Sequence, residues 1–120
     1  MAKQLEILNL NTVNEAKSLM QDRFQMMMKY FIEDTEMYMQ EIERGARDHN
    51  AQIVLSPAHT IKSSAKQLGV ERVSDAAKQL EFLCRDMIEN NKNDYQQLED
   101  LYAKLKEEVA VAIPQLNTLL

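Results

Sequence analysis

The sequence predicts an all-α protein, an antiparallel up-down four-helix bundle with a short extra N-terminal helix. Only two glycines and two prolines interrupt the 120 residues, and residues that favour helix, such as Glu, Lys, Gln, Leu and Ala, are plentiful. Long stretches repeat apolar residues at spacings of three and four, which is the period of an amphipathic helix. A content of 45% apolar and 28% charged residues is typical of a folded globular protein.

The length and the absence of a repeat or a linker predict one domain over residues 1–120. A chain of this length can bury roughly two-thirds of the surface that it exposes when unfolded. The short N-terminal helix is predicted over about residues 12–20, with Thr12 or Asn14 as its N-cap. The bundle itself is predicted over about residues 22–119.

The first long helix of the bundle is predicted from about Asp22 to Arg47. Its inner face is formed by seven residues at helical spacing: Phe24, Met27, Met28, Phe31, Thr35, Tyr38 and Ile42. The Met26-Met27-Met28 run could mark a soft-metal or adaptable binding surface. Consecutive residues lie on different faces of a helix, however, so filling of the core is the favoured interpretation.

The next helix is predicted from Asn50 or Ala51 to Leu68, because Gly69 is a typical residue just after a helix end. Pro57 leaves two alternatives: a kink within one helix, or a fresh helix that Ser56 caps. Its buried face consists of apolar residues within one narrow arc: Val54, Ala58, Ile61, Ala65 and Leu68.

Two further helices complete the bundle, over about Glu71–Asn90 and about Asp94–Leu119, with a polar loop between them. Pro114 is expected to bend or fray the end of the last helix. Four amphipathic helices joined by short loops can bury their apolar faces only against one another, and this predicts the bundle.

Charge and composition exclude several classes of function. The net charge of −5 and the pI near 5.0 argue against a nucleic-acid-binding surface, which requires clustered basic residues. No run of 18 apolar residues and no signal-peptide-like stretch occurs, so neither membrane insertion nor secretion is expected. The single cysteine, Cys84, cannot form an internal disulfide and is interpreted as a small core residue. A cytoplasmic location is therefore expected.

His59 is the residue that carries a functional hypothesis. On the helical wheel it lies roughly 150° from the centre of the buried arc, so its side chain is predicted to be exposed. Leu55, Lys62, Ser63 and Lys66 share this outer face, within one or two turns of the imidazole.

An imidazole beside lysines suits phosphoryl chemistry. A neutral imidazole keeps a ring nitrogen free for nucleophilic attack near neutral pH, and Lys62 could neutralise phosphoryl oxygens. The pattern by itself equally suits a solvated surface histidine. His49 lies in a connector with no comparable neighbours, and we interpret it as a surface loop residue.

The segment from Ala58 to Val70, AHTIKSSAKQLGV, resembles the signature of histidine-containing phosphotransfer (HPt) domains, the phosphorelay modules of two-component signalling. The flanking segments 31–36 and 76–81 are also similar to the helices of that family. The resemblance extends over about residues 22–90. It implies a four-helix bundle with the phosphorylated histidine exposed on a central helix.

The resemblance also implies roles for individual residues. His59 corresponds to the phosphoacceptor and Lys62 to the lysine beside the phosphoryl group. Glu81 occupies a position where several members carry a glutamine that hydrogen-bonds the imidazole, and the carboxylate either does the same or faces away. Ser63 replaces the usual glycine, a change that adds a hydrogen-bonding group and could narrow the range of partners.

The function implied is a phosphoryl carrier without its own kinase or nucleotide site. It would accept the group from a receiver-domain aspartate or a hybrid sensor histidine kinase and transfer it to a response-regulator aspartate. No cofactor or metal site is expected in this chain, because Mg²⁺ would be held by the partner receiver. Leu55 would contribute to docking with Lys66 at the rim, and the protein is expected to be a monomer.

Two alternatives remain at this point. The chain could be a degenerate HPt-like bundle that binds signalling partners without carrying phosphate, or an unrelated structural bundle in which His59 is incidental. An enzyme with its own active site is the weakest interpretation, because the sequence shows no catalytic triad, metal set or nucleotide-binding motif.

Overall fold

The computed structural model describes residues 5–120, and these are helical throughout most of their length. Residues 1–4, which belong to the predicted domain, lie outside the described part. The elements are α1 (Leu10–Met20), a 3-10 turn (Gln21–Arg23), α2 (Phe24–Arg47), α3 (Ala51–Leu68), α4 (Glu71–Glu89) and α5 (Tyr95–Asn117). No strand occurs within residues 5–120, so the predicted all-α class is confirmed.

The N-cap of α1 differs from the prediction of Thr12 or Asn14. The side chain of Asn9 accepts a hydrogen bond from the backbone N–H of Thr12. Asn9 is held there because its own N–H donates to the Gly69 carbonyl at 2.7 Å and its amide donates to Glu71 at 2.6 Å. Tertiary contacts with the α3–α4 connection therefore set the start of α1, and local sequence could not reveal them.

A single helix, α3, continues through Pro57. The side chain of Asn50 accepts hydrogen bonds from the backbone N–H groups of Gln52 and Ile53, which fixes the start of the helix at Ala51. The alternative in which Ser56 caps a fresh helix is therefore wrong. At the other end, Gly69 adopts the left-handed conformation with φ of 80° and terminates the helix as predicted.

The last helix also continues past its proline, because α5 includes Pro114 and ends at Asn117. The loop of residues 90–94 separates it from α4, as expected.

The four long helices form a closed ring in the order α2, α3, α4 and α5, with α5 also packed against α2. Two contacts show that α3 and α4 are antiparallel: Glu81 lies against His59, and the Ser74 hydroxyl donates to the Lys62 carbonyl at 2.9 Å. The shorter α1 packs on α2 and α3 at one end of the bundle.

Burial of one face fixes the rotation of α3 about its axis. Val54, Ala58, Ile61 and Ala65 are completely buried, and Leu68 is nearly so. Since these residues point into the core, the opposite face of α3 is presented at the surface. Among the described helices, none combines the length and the apolar character needed to cross a bilayer.

Candidate functional site

His59 projects from the outer face of α3, as the helical wheel predicts. Its side chain is 51% exposed. The ring is not free on all sides, however, because its Nδ1 lies 2.8 Å from Oε2 of Glu81 on α4. The imidazole is therefore fixed through one nitrogen while much of the ring remains open to solvent.

Glu81 is the centre of a charged cluster between α3 and α4. Its side chain is only 1% exposed, and Nζ of Lys62 lies 2.7 Å from its Oε1. Arg85, one helical turn further along α4, donates to Oε2 from Nη2 at 2.7 Å and from Nε at 3.1 Å. Of the two orientations considered for Glu81, the structure has the one that faces His59.

Two opposing effects act on the carboxyl group of Glu81. Burial alone would raise its pKa, because a low-dielectric environment disfavours the charged form. Hydrogen bonds from Lys62, Arg85 and His59 outweigh burial and lower the pKa of Glu81 to about 2. The carboxylate is consequently ionised at every pH near neutrality.

The ionised carboxylate determines the tautomer of His59. A carboxylate can only accept hydrogen bonds, so Nδ1 of His59 must be the nitrogen that carries the proton and donates to Glu81. The lone pair of the neutral ring then resides on Nε2. The arrangement presents one defined nucleophilic nitrogen on a half-exposed ring.

The structure places Lys62 beside the predicted site, in contact with Glu81. Its side chain is 25% exposed, so the ammonium group is partly accessible from the surface around His59. Ser63 and Lys66 are exposed on the same face of α3. Ser63 therefore presents its hydroxymethyl group at the surface, one helical turn after His59.

Leu55 differs from the expectation of an exposed docking residue. It is half-buried and packs against the core. Leu55 lies one turn before His59 and two turns before Lys62, and both of these residues contact Glu81, so this side of α3 is turned towards α4. Its part in docking remains a prediction, with less apolar surface to offer than expected.

Two exposed residues of α4, Arg85 and Phe82, were not singled out in the sequence. Arg85 was detectable in principle, because a Glu and an Arg four residues apart on one helix commonly pair. Phe82 is 55% exposed, and Nζ of Lys78 lies 5.5 Å from the centre of its ring. Only the position of α4 beside α3 shows that Arg85 lies near His59, because both side chains contact Oε2 of Glu81.

A shallow groove of about 190 Å³ lies on the other side of α3, between α3 and α2. Phe31 and Tyr38 contribute apolar walls, Asp34 contributes a carboxylate, and Thr60 and Ser64 line the α3 side. His59 thus lies between the cationic side chains of Lys62 and Arg85, on the side facing α4, and the largely apolar groove on the side facing α2.

The other candidate residues lie outside this cluster. Cys84 is completely buried, and burial raises the pKa of its thiol to about 12, so it is an inert core residue. His49 is exposed in the α2–α3 connection and stacks on Tyr95 with ring centroids 4.7 Å apart. Within the described part of the chain, no group of three or more His, Cys, Asp or Glu side chains could hold a metal ion.

The Glu81 cluster should make the stability of the protein sensitive to acid. The pKa of the Glu81 carboxyl group in the folded protein is about 2, below the ordinary value of 4.5. The ionised Glu81 carboxylate therefore makes its full contribution to the free energy of unfolding above about pH 4.5, and this contribution is lost as the pH falls towards 2. We expect the free energy of unfolding of the wild type to fall more steeply over this interval than that of Glu81→Gln.

Urea denaturation at a series of pH values measures this difference. Glu99→Gln, a change at an exposed position of α5, serves as the matched control and should follow the wild type. Parallel pH profiles for the wild type and Glu81→Gln would show that the ion pairs of Glu81 contribute nothing to stability.

Two comparisons with known proteins give matches, one to the sequence and one to the fold. The family model of the Hpt domain matches residues 26–117. The crystal structure of histidine-containing phosphotransfer protein B (HptB) from Pseudomonas aeruginosa PAO1 superimposes with a TM-score of 0.85 at 17% identity, covering 96% of this chain and 95% of that one. No match was found among curated proteins. The family match includes α3 and α4 with all the residues of the site, and the chain belongs to the Hpt domain family.

Proposed function

We propose that the protein carries a phosphoryl group on Nε2 of His59 in a two-component phosphorelay. The donor is a receiver-domain aspartyl phosphate or a hybrid sensor histidine kinase, and the acceptor is the aspartate of a response regulator. The observation that carries this proposal is the half-exposed imidazole whose Nδ1 is bound to the buried carboxylate of Glu81. Membership of the Hpt family supports it.

The site supplies a nucleophile and positive charge. Nε2 is the nitrogen with the lone pair, and it attacks the phosphorus of the incoming acyl phosphate. Lys62 and Arg85 place two cations on the α4 side of the ring, where they stabilise the negative oxygens of the group in transit. The nitrogen–phosphorus bond is labile, so the group can be passed on.

The partner supplies what this chain does not contribute. A receiver domain would bring its own aspartate and the Mg²⁺ that neutralises the phosphoryl group during transfer. Beside His59 the surface offers the cationic groups of Lys62 and Arg85, which share Glu81 with the imidazole, and Lys66 is exposed two turns further along α3. In a chain with a net charge of −5, this local positive surface would favour an acidic partner.

A transfer assay tests the proposal. The protein is incubated with receiver domains that carry a radioactive phosphoryl group, and the label on the protein is followed over time. We expect label that is lost in acid and retained in alkali, which is the behaviour of phosphohistidine. A protein that binds a receiver but takes up no label from any of them would instead be a degenerate, binding-only bundle.

Removal of the Lys62 ammonium group should slow transfer without unfolding the protein. Lys62→Ala removes the charge-assisted contact between the ammonium group and the phosphoryl oxygens in transit, and such a contact is worth roughly 1.5 kcal/mol. We therefore expect transfer to His59 to be about tenfold slower, as measured by rapid-quench labelling.

The control for Lys62→Ala is its helical circular dichroism signal, which should equal that of the wild type because Lys62 lies at the edge of the core. Loss of that signal would make Lys62 a structural residue. Unchanged transfer kinetics would remove it from the site.

A further inference from the structure

The contact between His59 and Glu81 involves a full negative charge, and this distinguishes it from a hydrogen bond to a neutral amide. We propose that Glu81 is the counter-ion of a phosphorylated His59 ring that keeps its Nδ1 proton, so that phosphoryl transfer through His59 moves no proton. The inference rests on the proposed function and specifies the chemistry of the same site.

The bonds and charges balance in this scheme. The lone pair of Nε2 forms the new nitrogen–phosphorus bond, while the phosphorus–oxygen bond to the donor breaks and its electron pair leaves with the aspartate carboxylate. Nδ1 still carries its proton, so the ring becomes a cation and the phosphoryl group carries about two negative charges. On transfer to the next aspartate the same steps run in reverse, and the ring leaves as neutral imidazole.

The geometry suits a counter-ion. Oε2 of Glu81 lies 2.8 Å from Nδ1 of His59, and the Glu81 side chain is 1% exposed, so its charge is weakly screened by solvent. Lys62 and Arg85 keep this carboxylate ionised. A glutamine at position 81 could accept the same hydrogen bond but could not balance the positive charge of the ring.

The other charged groups around the ring make this counter-ion necessary. Lys62 and Lys66 on α3, together with Arg85 on α4, are cations, and each of them disfavours an additional positive charge nearby, such as that of the phosphorylated His59 ring. On α2 the nearest carboxylate in the groove is Asp34, which lies on the other side of α3, beside Thr60. Glu81 therefore provides the negative charge that directly contacts the ring.

Loss of the Nδ1 proton would impair the carrier at its second step. A neutral phosphoimidazole would have to leave as an imidazolate anion, which is a much poorer leaving group than neutral imidazole. We expect Glu81→Gln to accept the phosphoryl group but to pass it to a receiver more slowly near neutral pH. Lowering the pH should restore its transfer rate, because the ring then regains the proton.

Nitrogen NMR measures the proton directly. Protein with ¹⁵N-labelled histidine is phosphorylated with phosphoramidate, a small donor that requires no receiver, and the Nδ1 and Nε2 resonances are followed against pH. We expect the midpoint at which the phosphorylated ring loses its Nδ1 proton to be lower by about one pH unit or more in Glu81→Gln than in the wild type.

Two controls accompany this measurement. Asp86→Asn removes one negative charge from a half-exposed position of α4, where Asp86 pairs with Lys92, and its midpoint should equal that of the wild type. His49 provides a resonance within the same samples that should not respond to the change at Glu81. Equal midpoints in the wild type and Glu81→Gln would overturn the inference.

The outcomes separate the inference from the proposed function. Phosphoramidate labelling with the expected midpoints, but no transfer from receivers, would reject the function and keep the charge balance. Transfer from receivers, with equal midpoints in the wild type and Glu81→Gln, would keep the proposed function and reject the charge balance. Should Glu81→Gln fail to fold, the wild type alone decides, because a phosphorylated ring without its Nδ1 proton at neutral pH contradicts the inference.

Discussion

The substitution His59→Gln is expected to abolish labelling of the protein by any phosphorylated receiver domain. The amide nitrogen of glutamine can still donate a hydrogen bond towards Glu81, so the charged cluster and the fold should persist. An amide nitrogen has no available lone pair, however, and cannot form a bond to phosphorus. The label should therefore fall to the background level seen without the protein, as measured by acid-labile radioactivity after gel separation.

The second histidine of the chain provides the matched control. His49 stacks on Tyr95 in the α2–α3 connection, outside the charged cluster, and His49→Gln should accept label at the wild-type rate. Label that persists at wild-type levels in His59→Gln, or that disappears in His49→Gln, would assign the phosphoacceptor to a different residue.

The position of His59 was predictable because it depends on local periodicity. The apolar residues of α3 repeat at helical spacing, and their burial determines where every other residue of that helix points. Pro57 did not disturb this inference, since Asn50 starts the helix before it and the helix continues regularly. The end of α3 was predictable for a similar reason, because Gly69 suits the left-handed conformation found there.

The contacts of His59 depend on the second helix and were not predictable in the same way. The sequence places Glu81 within the helix predicted over about Glu71–Asn90, but it does not show how α4 is rotated and shifted against α3. That arrangement brings the carboxylate to Nδ1 of His59 and adds Arg85 to the site. Leu55, which the wheel of an isolated helix presents as exposed, is likewise half-buried in the bundle.

Gly45 is a second feature whose importance appears only in three dimensions. The sequence places it inside the helix predicted from Asp22 to Arg47, where a glycine costs about 1 kcal/mol relative to alanine. In the structure a Cβ at this position would lie 2.7 Å from Cγ2 of Val54 and 3.0 Å from Cγ2 of Ile53. The missing side chain therefore permits the close approach of α2 to the first turns of α3.

Gly45→Val is expected to destabilise the protein by about 3 kcal/mol, the upper part of the usual range for overpacking a core. Val54 is completely buried, so its methyl groups cannot move aside without displacing α3. The loss is a large fraction of the roughly 5–15 kcal/mol that stabilises a typical domain. Urea denaturation followed by circular dichroism measures the change in the free energy of unfolding.

A double-mutant cycle between Gly45 and Val54 identifies the cause of this loss. Val54→Ala alone should be destabilising, by about 2 kcal/mol, because it leaves a cavity in the core. In the Gly45→Ala background the same truncation should cost less, since it also removes the methyl group that the new Cβ would meet at 2.7 Å. The two changes should therefore be coupled by at least about 0.5 kcal/mol. Strict additivity would show that α2 and α3 tolerate a side chain between them, and that the glycine does not determine how closely α3, the helix that carries His59, packs against α2.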